Sequence, residues 1–301
     1  MTGADNRNQF LLAKSTDGGA TFSAPVKVSD YYDLPDCDTY QGAGADPFRA
    51  CVPEKGTSTK SVFRATNYPA GAVNPTNRNQ VVVTFGSYIN KHSNEANGCV
   101  PAGFAADGFN LYTGVKTPGA CNNDILLSVS NNAGASFTGT TTDPRRETVV
   151  TQDRRQATTD QFWQWMAFTN HGKLAVDYYD RQFGRDEFTG SSDFSLSGSR
   201  DLSRFATKRV TSSSMPAPTE FPGAKGGQFY GDYTGLTATD EAHPVWMDTR
   251  SPDVFICPGT ATGPGNPPRL CSGVEPNGQL ANDQDMFTAT VGVPAGRGGR
   301  Y

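Results

Sequence analysis

Six short stretches of the chain carry the residue types that sugar chemistry uses. Arg64 and Tyr68, then Gln161, Trp163 and Gln164, then Asp232 and Tyr233 each precede or open an apolar run. Ser87 and Tyr88, then Tyr179, Asp180 and Arg181, then Asp248 and Arg250 each close one. Aromatic faces stack on the apolar faces of sugar rings, while carboxylates and guanidinium forks hold hydroxyls or a carboxylate. A competing reading is structural: an Asp-x-Arg at a strand end simply pairs with a neighbouring strand, and tryptophans at such places pack. His92, His171 and His243 have no partner at metal-binding or triad spacing.

Short strands must position these residues. A first set of runs covers residues 68–73, 165–168 and 233–238, and a second covers 81–85, 174–178 and 244–248. Polar turns at 74–79, 169–172 and 239–242 join them. Third runs begin at Phe10, Ile125 and Phe194, and each leads into a related turn. The turn is Ser15-Thr-Asp17-Gly-Gly19-Ala-Thr21-Phe22 in its fullest form. It recurs as Ser130-Asn-Asn132-Ala-Gly134-Ala-Ser136-Phe137 and, shortened and without its glycine, as Ser199-Arg-Asp201-Leu-Ser203-Arg-Phe205. In each, the Asp or Asn side chain accepts backbone N–H groups ahead of it, glycine supplies a positive φ, and the terminal aromatic folds back onto the sheet. Fourth runs follow at 25–28, 148–150 and 207–210, and a last third-type run covers 286–291.

Repeated four-stranded antiparallel units predict an all-β chain built as a β-propeller. The chain opens with the last two strands of one blade, has two complete blades, and closes with the first three strands of another. That is about three and a half blades, which cannot close a ring without exposed edges. Residues 1–301 are therefore expected to form one propeller domain that lacks N-terminal blades.

Composition fits an extracellular all-β protein: 33 glycines, 20 prolines and only 19% charged residues. A net charge of −4 argues against nucleic acid or an anionic membrane as partner, and no apolar run could insert in a bilayer. The six cysteines fall in local pairs, Cys37 with Cys51, Cys99 with Cys121 and Cys257 with Cys271, around loops without a strand pattern. Their separations of 14, 22 and 14 residues fit no zinc signature, so three disulfides and a secreted or periplasmic location are expected. In a four-stranded meander all three loops rise from one face, the face that also receives the aromatic and charged residues above. Function concentrates in such loops.

The three turns resemble the Asp-box of sialidase-like (BNR-repeat) propellers. Gly231-Asp232-Tyr233-Thr234-Gly235-Leu236, followed by Val245-Trp246-Met247-Asp248-Thr249-Arg250, is similar to bacterial secreted members of the exo-α-sialidase type. The resemblance implies six blades and a site at the rim opposite the Asp-boxes. It also implies a catalytic set of three arginines, a tyrosine nucleophile with a glutamate base, and an aspartate acid/base. A neutral tyrosine suits attack on an anomeric centre beside a carboxylate, where an anion would be repelled. Tyr233 stands where that nucleophile would, with Asp232, Asp180, Arg181, Asp248 and Arg250 around it and Glu187 and Glu220 as nearby glutamates. Trp163, Gln164, Tyr179, Arg64, Tyr68 and Tyr88 would line the substrate. The family's Arg-Ile-Pro motif is absent.

The expected activity is hydrolysis of terminal sugars of glycans by a sialidase-like exo-glycosidase that is monomeric at full length. Two alternatives compete: a non-catalytic glycan-binding or adhesion propeller, and a hydrolase or lyase for another polysaccharide. No cofactor or metal is expected. A structural calcium would have to sit at Asp232 or Asp248, where no loop offers consecutive oxygen ligands.

Overall fold

A computed structural model describes residues 6–36, 49–53, 55, 63–184, 191–216, 231, 233–253, 281–282 and 285–295. Helix among them is confined to short 3-10 turns, and the principal sheets are antiparallel. A leading hairpin pairs Asn8–Leu12 with Val26–Tyr31. The first four-stranded sheet runs in order Ala70–Asn74, Asn77–Ser87, Asp124–Ser130, Thr148–Val149. The second runs Gln161–Phe168, Leu174–Asp180, Asp193–Ser199, Ala206–Arg209. In the third, Gly235–Ala238 pairs with Glu241–Asp248, whose other edge takes both Asp285–Thr288 and Val291–Gly292. All-β architecture and the meander order of the strands are as the sequence predicts.

The sheets pack face to face, and the second is covered on both sides. On one side Leu174, Val176, Tyr178, Met166 and Phe205 meet Val82, Ile125 and Leu127 of the first sheet. On the other, Ala175 and Leu196 meet Leu236, Ala242, Val291 and Val293. Every residue of Leu174–Asp180 and Asp193–Ser199 is consequently buried, although more than half are small or polar. Such burial contributes about 1.5–3 kcal/mol per large apolar side chain. Gly198 permits the close approach, since a Cβ there would lie 2.0 Å from the Pro294 carbonyl oxygen. The leading hairpin packs on the first sheet in the same way, through Val28, Val83, Phe85, Leu126 and Val149.

All three related turns form as their side chains dictate. Ser15 Oγ accepts the Gly19 N–H at 2.8 Å, and Asp17 accepts the Thr21 N–H and hydroxyl at 2.9 and 2.6 Å. The second copy repeats this with Ser130 to Gly134 at 2.9 Å and Asn132 to Ser136 at 3.0 Å. In the third, Asp201 accepts the N–H groups of Ser203 and Arg204, both at 2.9 Å. Hydrogen bonds from Thr21 hold the Asp17 carboxyl at about 2, and those from Arg204 and Ser203 do the same for Asp201. Gly19 and Gly134 take φ of +94° and +83°. One position earlier Gly18, Ala133 and Leu202 also take positive φ, at 73°, 55° and 61°, a conformation that costs an L residue about 1–2 kcal/mol.

One expectation about these turns is corrected. Phe137 and Phe205 fold back and are buried, but Phe22 is 67% exposed. Phe137 packs into the core shared with the leading hairpin, and Phe205 into the core shared with the first sheet. No described sheet precedes the leading hairpin to receive Phe22 in the same way.

Cys99 and Cys121 form the expected disulfide. The loop that they close is more ordered than its composition suggests, because Val100–Phe104 and Asn110–Thr113 pair as a hairpin inside it. Cys51 is also disulfide-bonded, while Cys37, Cys257 and Cys271 lie outside the described residues. Closing a 22-residue separation removes roughly 3 kcal/mol of chain entropy from the unfolded state. A Cys99→Ser, Cys121→Ser double variant is expected to lose about that much stability in urea unfolding. An unchanged midpoint would show that the hairpin and its packing hold the loop unaided.

Candidate functional site

The antiparallel meander places the starts of first strands and the ends of second strands on one face, where the described segment 32–36 meets the Cys99–Cys121 loop. Asp36 N–H donates to the Asn110 carbonyl at 2.9 Å, joining the segment before Cys51 to the Cys99–Cys121 loop. Tyr88 and Tyr112 meet edge to face at 4.8 Å, and the Tyr112 hydroxyl donates to the Asp33 carbonyl. A single core beneath them contains Tyr32, Val52, Tyr112, Phe162, Phe194 and Trp246. The third loop, with Cys257 and Cys271, falls outside the described residues.

Aromatic residues from three successive sheets stand at or before these first strands. Tyr68 precedes the first sheet, Trp163 interrupts the first strand of the second, and Tyr233 precedes the third. Tyr68 lies 6.4 Å from Trp163 and 6.3 Å from Trp165, ring to ring. A shift of register between Phe162 and Trp165 makes this possible, with Trp163 at φ 57° in the left-handed region. Such a bulge re-aims side chains at functional rims. Gln164 Nε2 donates to the carbonyls of Tyr68 and Thr84 at 2.6 and 3.3 Å. Thr234 Oγ1 donates to the Trp163 carbonyl at 3.0 Å. Trp163 is buried, Tyr68 is half-buried, and Tyr233 is 75% exposed.

A carboxylic acid lies within this group that the sequence reading did not single out. Asp177 is fully buried in the second strand of the second sheet, and its Oδ1 accepts the Trp165 N–H at 3.0 Å. Its Oδ2 has no hydrogen-bond partner. Burial pushes its carboxyl well above the ordinary carboxylate range, and the backbone N–H of Trp165 opposes the shift. Burial, and then the field of Asp177, push the Tyr68 phenol up. A lone Asp in the apolar run Leu174-Ala-Val-Asp-Tyr178 was the available signal.

The strand-end residues are drawn into structure. Asp180 is fully buried and accepts hydrogen bonds from Gln156, Gln161, Gln182 and Ser195 between 2.8 and 3.3 Å. Burial raises its carboxyl, and these donors partly offset the shift. The Tyr179 hydroxyl bonds both the N–H and the carbonyl of Met247 at 3.0 Å, and its ring stacks on Phe162. Tyr88 is buried, and Arg181 is buried with its guanidinium 5.6 Å from the Phe162 ring. Arg64 is half-buried, opposite Cys51 in a short ladder.

Arg250 grips Asp248 with Nε at 2.9 Å and Nη2 at 2.6 Å. Burial alone would raise Asp248, but these bonds and the one from Trp246 Nε1 hold it below the usual carboxylate range. Asp180, Tyr179 and Asp248 thus engage protein partners, and Asp248 takes the arginine of its own Asp-Thr-Arg rather than one on a neighbouring strand. Asp232, Glu187 and Glu220 lie outside the described residues.

Two further features escaped sequence reasoning. His92 Nδ1 lies 2.8 Å from Asp124 Oδ2, and Thr151 donates to Asp124 Oδ1 at 2.7 Å. The sequence offers His92 no partner at triad spacing; 32 residues separate it from Asp124, and the fold closes the gap. Glu147 is buried with Oε1 on the Ser29 hydroxyl at 2.6 Å and Oε2 without a hydrogen-bond partner. Among the described residues no three His, Cys, Asp or Glu side chains group as a metal site, and no helix is long and apolar enough to cross a membrane. Compared with models of known protein families and with curated protein sequences, the chain matches none.

Proposed function

We propose that this chain is a propeller of the sialidase-like, Asp-box type that binds glycans at the face carrying Tyr68, Trp163 and Tyr233. Three copies of one turn motif and successive antiparallel sheets stacked face to face support the propeller. Contact between the first strands of all three larger sheets supports a common axis. The observation that carries the binding role is the aromatic group itself, assembled from three sheets, fixed by Gln164 and Thr234, and ending in an exposed Tyr233 ring. A rigid aromatic surface with one wet edge suits the apolar face of a sugar. The Cys99–Cys121 disulfide supports a secreted or periplasmic setting.

Binding is favoured over hydrolysis because Asp180 and Asp248 spend their oxygens on protein donors. Exo-glycosidase action on terminal sugars is the second reading. The exposed Tyr233 and the buried carboxyl of Asp177, raised above the ordinary carboxylate range, favour it.

A glycan array with the wild-type chain, followed by titration of the best ligand, tests both readings. Tyr233→Ala is expected to weaken binding about tenfold, the worth of one aromatic stacking contact, with the unfolding midpoint unchanged. Retention of no glycan by the wild type would end the binding reading. Turnover of a fluorogenic sialoside that is lost in Tyr233→Phe would replace it with the second.

A further inference from the structure

A cleft of about 440 Å³ opens at the outer edge of the second sheet, lined by Phe183, Ser191, Arg209, Ser212, Ser213 and Ser214. Arg209 ends the fourth strand of that sheet, whereas Trp163 belongs to the first, so the cleft is separate from the aromatic group. None of its residues was singled out from the sequence.

The cleft is built around one guanidinium. Arg209 Nε and Nη2 both reach Asp193 Oδ1, at 2.7 and 2.6 Å, and the Phe183 ring lies 4.8 Å from the guanidinium carbon. Asp193 is fully buried, and the hydroxyls of Thr211 and Ser214 donate to it at 2.6 and 2.7 Å. The side chain of Arg209 is 32% exposed, and its Nη1 makes no hydrogen bond to the described residues. A second guanidinium stands at the edge: Arg250 Nη1 donates to Ser212 Oγ at 2.7 Å.

The geometry points to a binding site for an acidic sugar, one bearing a carboxylate or a sulfate ester. Arg209 is held in place by the carboxylate behind it and presents its remaining N–H groups outward, the fixed fork that oxyanions require. Ser191, Ser212 and Ser213 supply hydroxyls suited to a polyol. A cation finds no open carboxylate, because both Asp193 oxygens are already engaged by Arg209, Thr211 and Ser214. The volume falls within the ~300–1,000 Å³ usual for small-ligand sites, which leaves room for a sugar ring beyond the oxyanion. This site does not depend on glycan binding by the Tyr68, Trp163 and Tyr233 group.

Calorimetric titration with glucuronate, glucose and inorganic sulfate tests the assignment. Glucuronate is expected to bind at least tenfold more tightly than glucose, and Arg209→Gln is expected to remove that preference. Because Arg209→Gln leaves Asp193 less well compensated, Ser213→Trp provides the second variant. Ser213 is exposed, and filling the cleft from there should cost at least tenfold in glucuronate affinity at an unchanged unfolding midpoint. Tyr233→Ala should leave glucuronate binding intact, which separates this site from the aromatic group. Equal affinity for glucuronate and glucose would overturn the proposal, as would binding indifferent to Ser213→Trp. Inorganic sulfate as tight as glucuronate would reduce the site to a bare oxyanion site and overturn the sugar assignment.

Discussion

Asp180→Ala is expected to destabilise the protein by about 3–5 kcal/mol, the cost of stripping a buried network of its shared acceptor. Four side chains from different parts of the second sheet converge on this carboxylate. Gln156 precedes the sheet, Gln161 opens its first strand, Gln182 follows its second, and Ser195 lies on its third. Gln156 also donates to the Tyr178 hydroxyl at 2.8 Å, so loss of the carboxylate propagates into the packed interior. The Ser195 hydroxyl and the Gln182 amide would remain buried without this acceptor, while Gln156 and Gln161 keep Tyr178 and Thr159 as partners. Asp180→Asn should cost less, since one carbonyl oxygen still accepts while the amide faces donors. Urea unfolding of both variants gives the ranking. An Asp180→Ala protein as stable as wild type would show that the network is dispensable, returning Asp180 to the pool of residues available for chemistry.

Glu147→Gln is expected to flatten the pH dependence of stability and to make the protein more stable than wild type at pH 8. Burial is the main cause that pushes the Glu147 carboxyl up to about 8; the negative neighbours Asp30 and Asp143 add to it, and Ser29 and Lys27 oppose it. A folded-state pKa above the unfolded value means that the folded protein binds the extra proton. The contribution of Glu147 is thus fully present below pH 4.5 and is lost as pH rises from there through about 8. The total is on the order of 4 kcal/mol across that window. Glutamine preserves an acceptor for Ser29 and never ionises, so the difference between variant and wild type isolates this one group. Parallel stability curves for the two proteins from pH 5 to pH 8 would refute the assignment.

Much of the architecture was legible because it rests on local physics. The Asp17, Asn132 and Asp201 turns need only a short acceptor side chain and a residue able to take positive φ. The apolar runs at 174–178 and 194–196 marked strands that the structure extends to Leu174–Asp180 and Asp193–Ser199. The Cys99–Cys121 pair was legible because chain length alone brings its members close, whereas the hairpin inside that loop was hidden by its glycines and prolines.

The candidate site was legible in its residue types and much less in its roles. Tyr68, Trp163 and Tyr233 were recognisable as aromatics at strand starts, and the fold brings them to one face. Tyr179 and Asp180 carry the same residue types, yet sheet-on-sheet packing makes them interior groups whose polar atoms serve the scaffold. Asp177, the His92–Asp124 pair and the Arg209 cleft left no comparable local signature, because each depends on segments apart in sequence that meet only when the sheets stack.

The sequence by itself determined where the strands of the principal sheets lie, how the Asp17, Asn132 and Asp201 turns close, and in what order those strands pair. These depend on side chains acting on backbone within a few residues. Tertiary structure alone decided which polar groups are buried, which carboxyls are pushed above the ordinary range, and which guanidinium faces solvent. Those properties belong to the dielectric surroundings and partners of a group, and only the packing of one sheet on the next creates them.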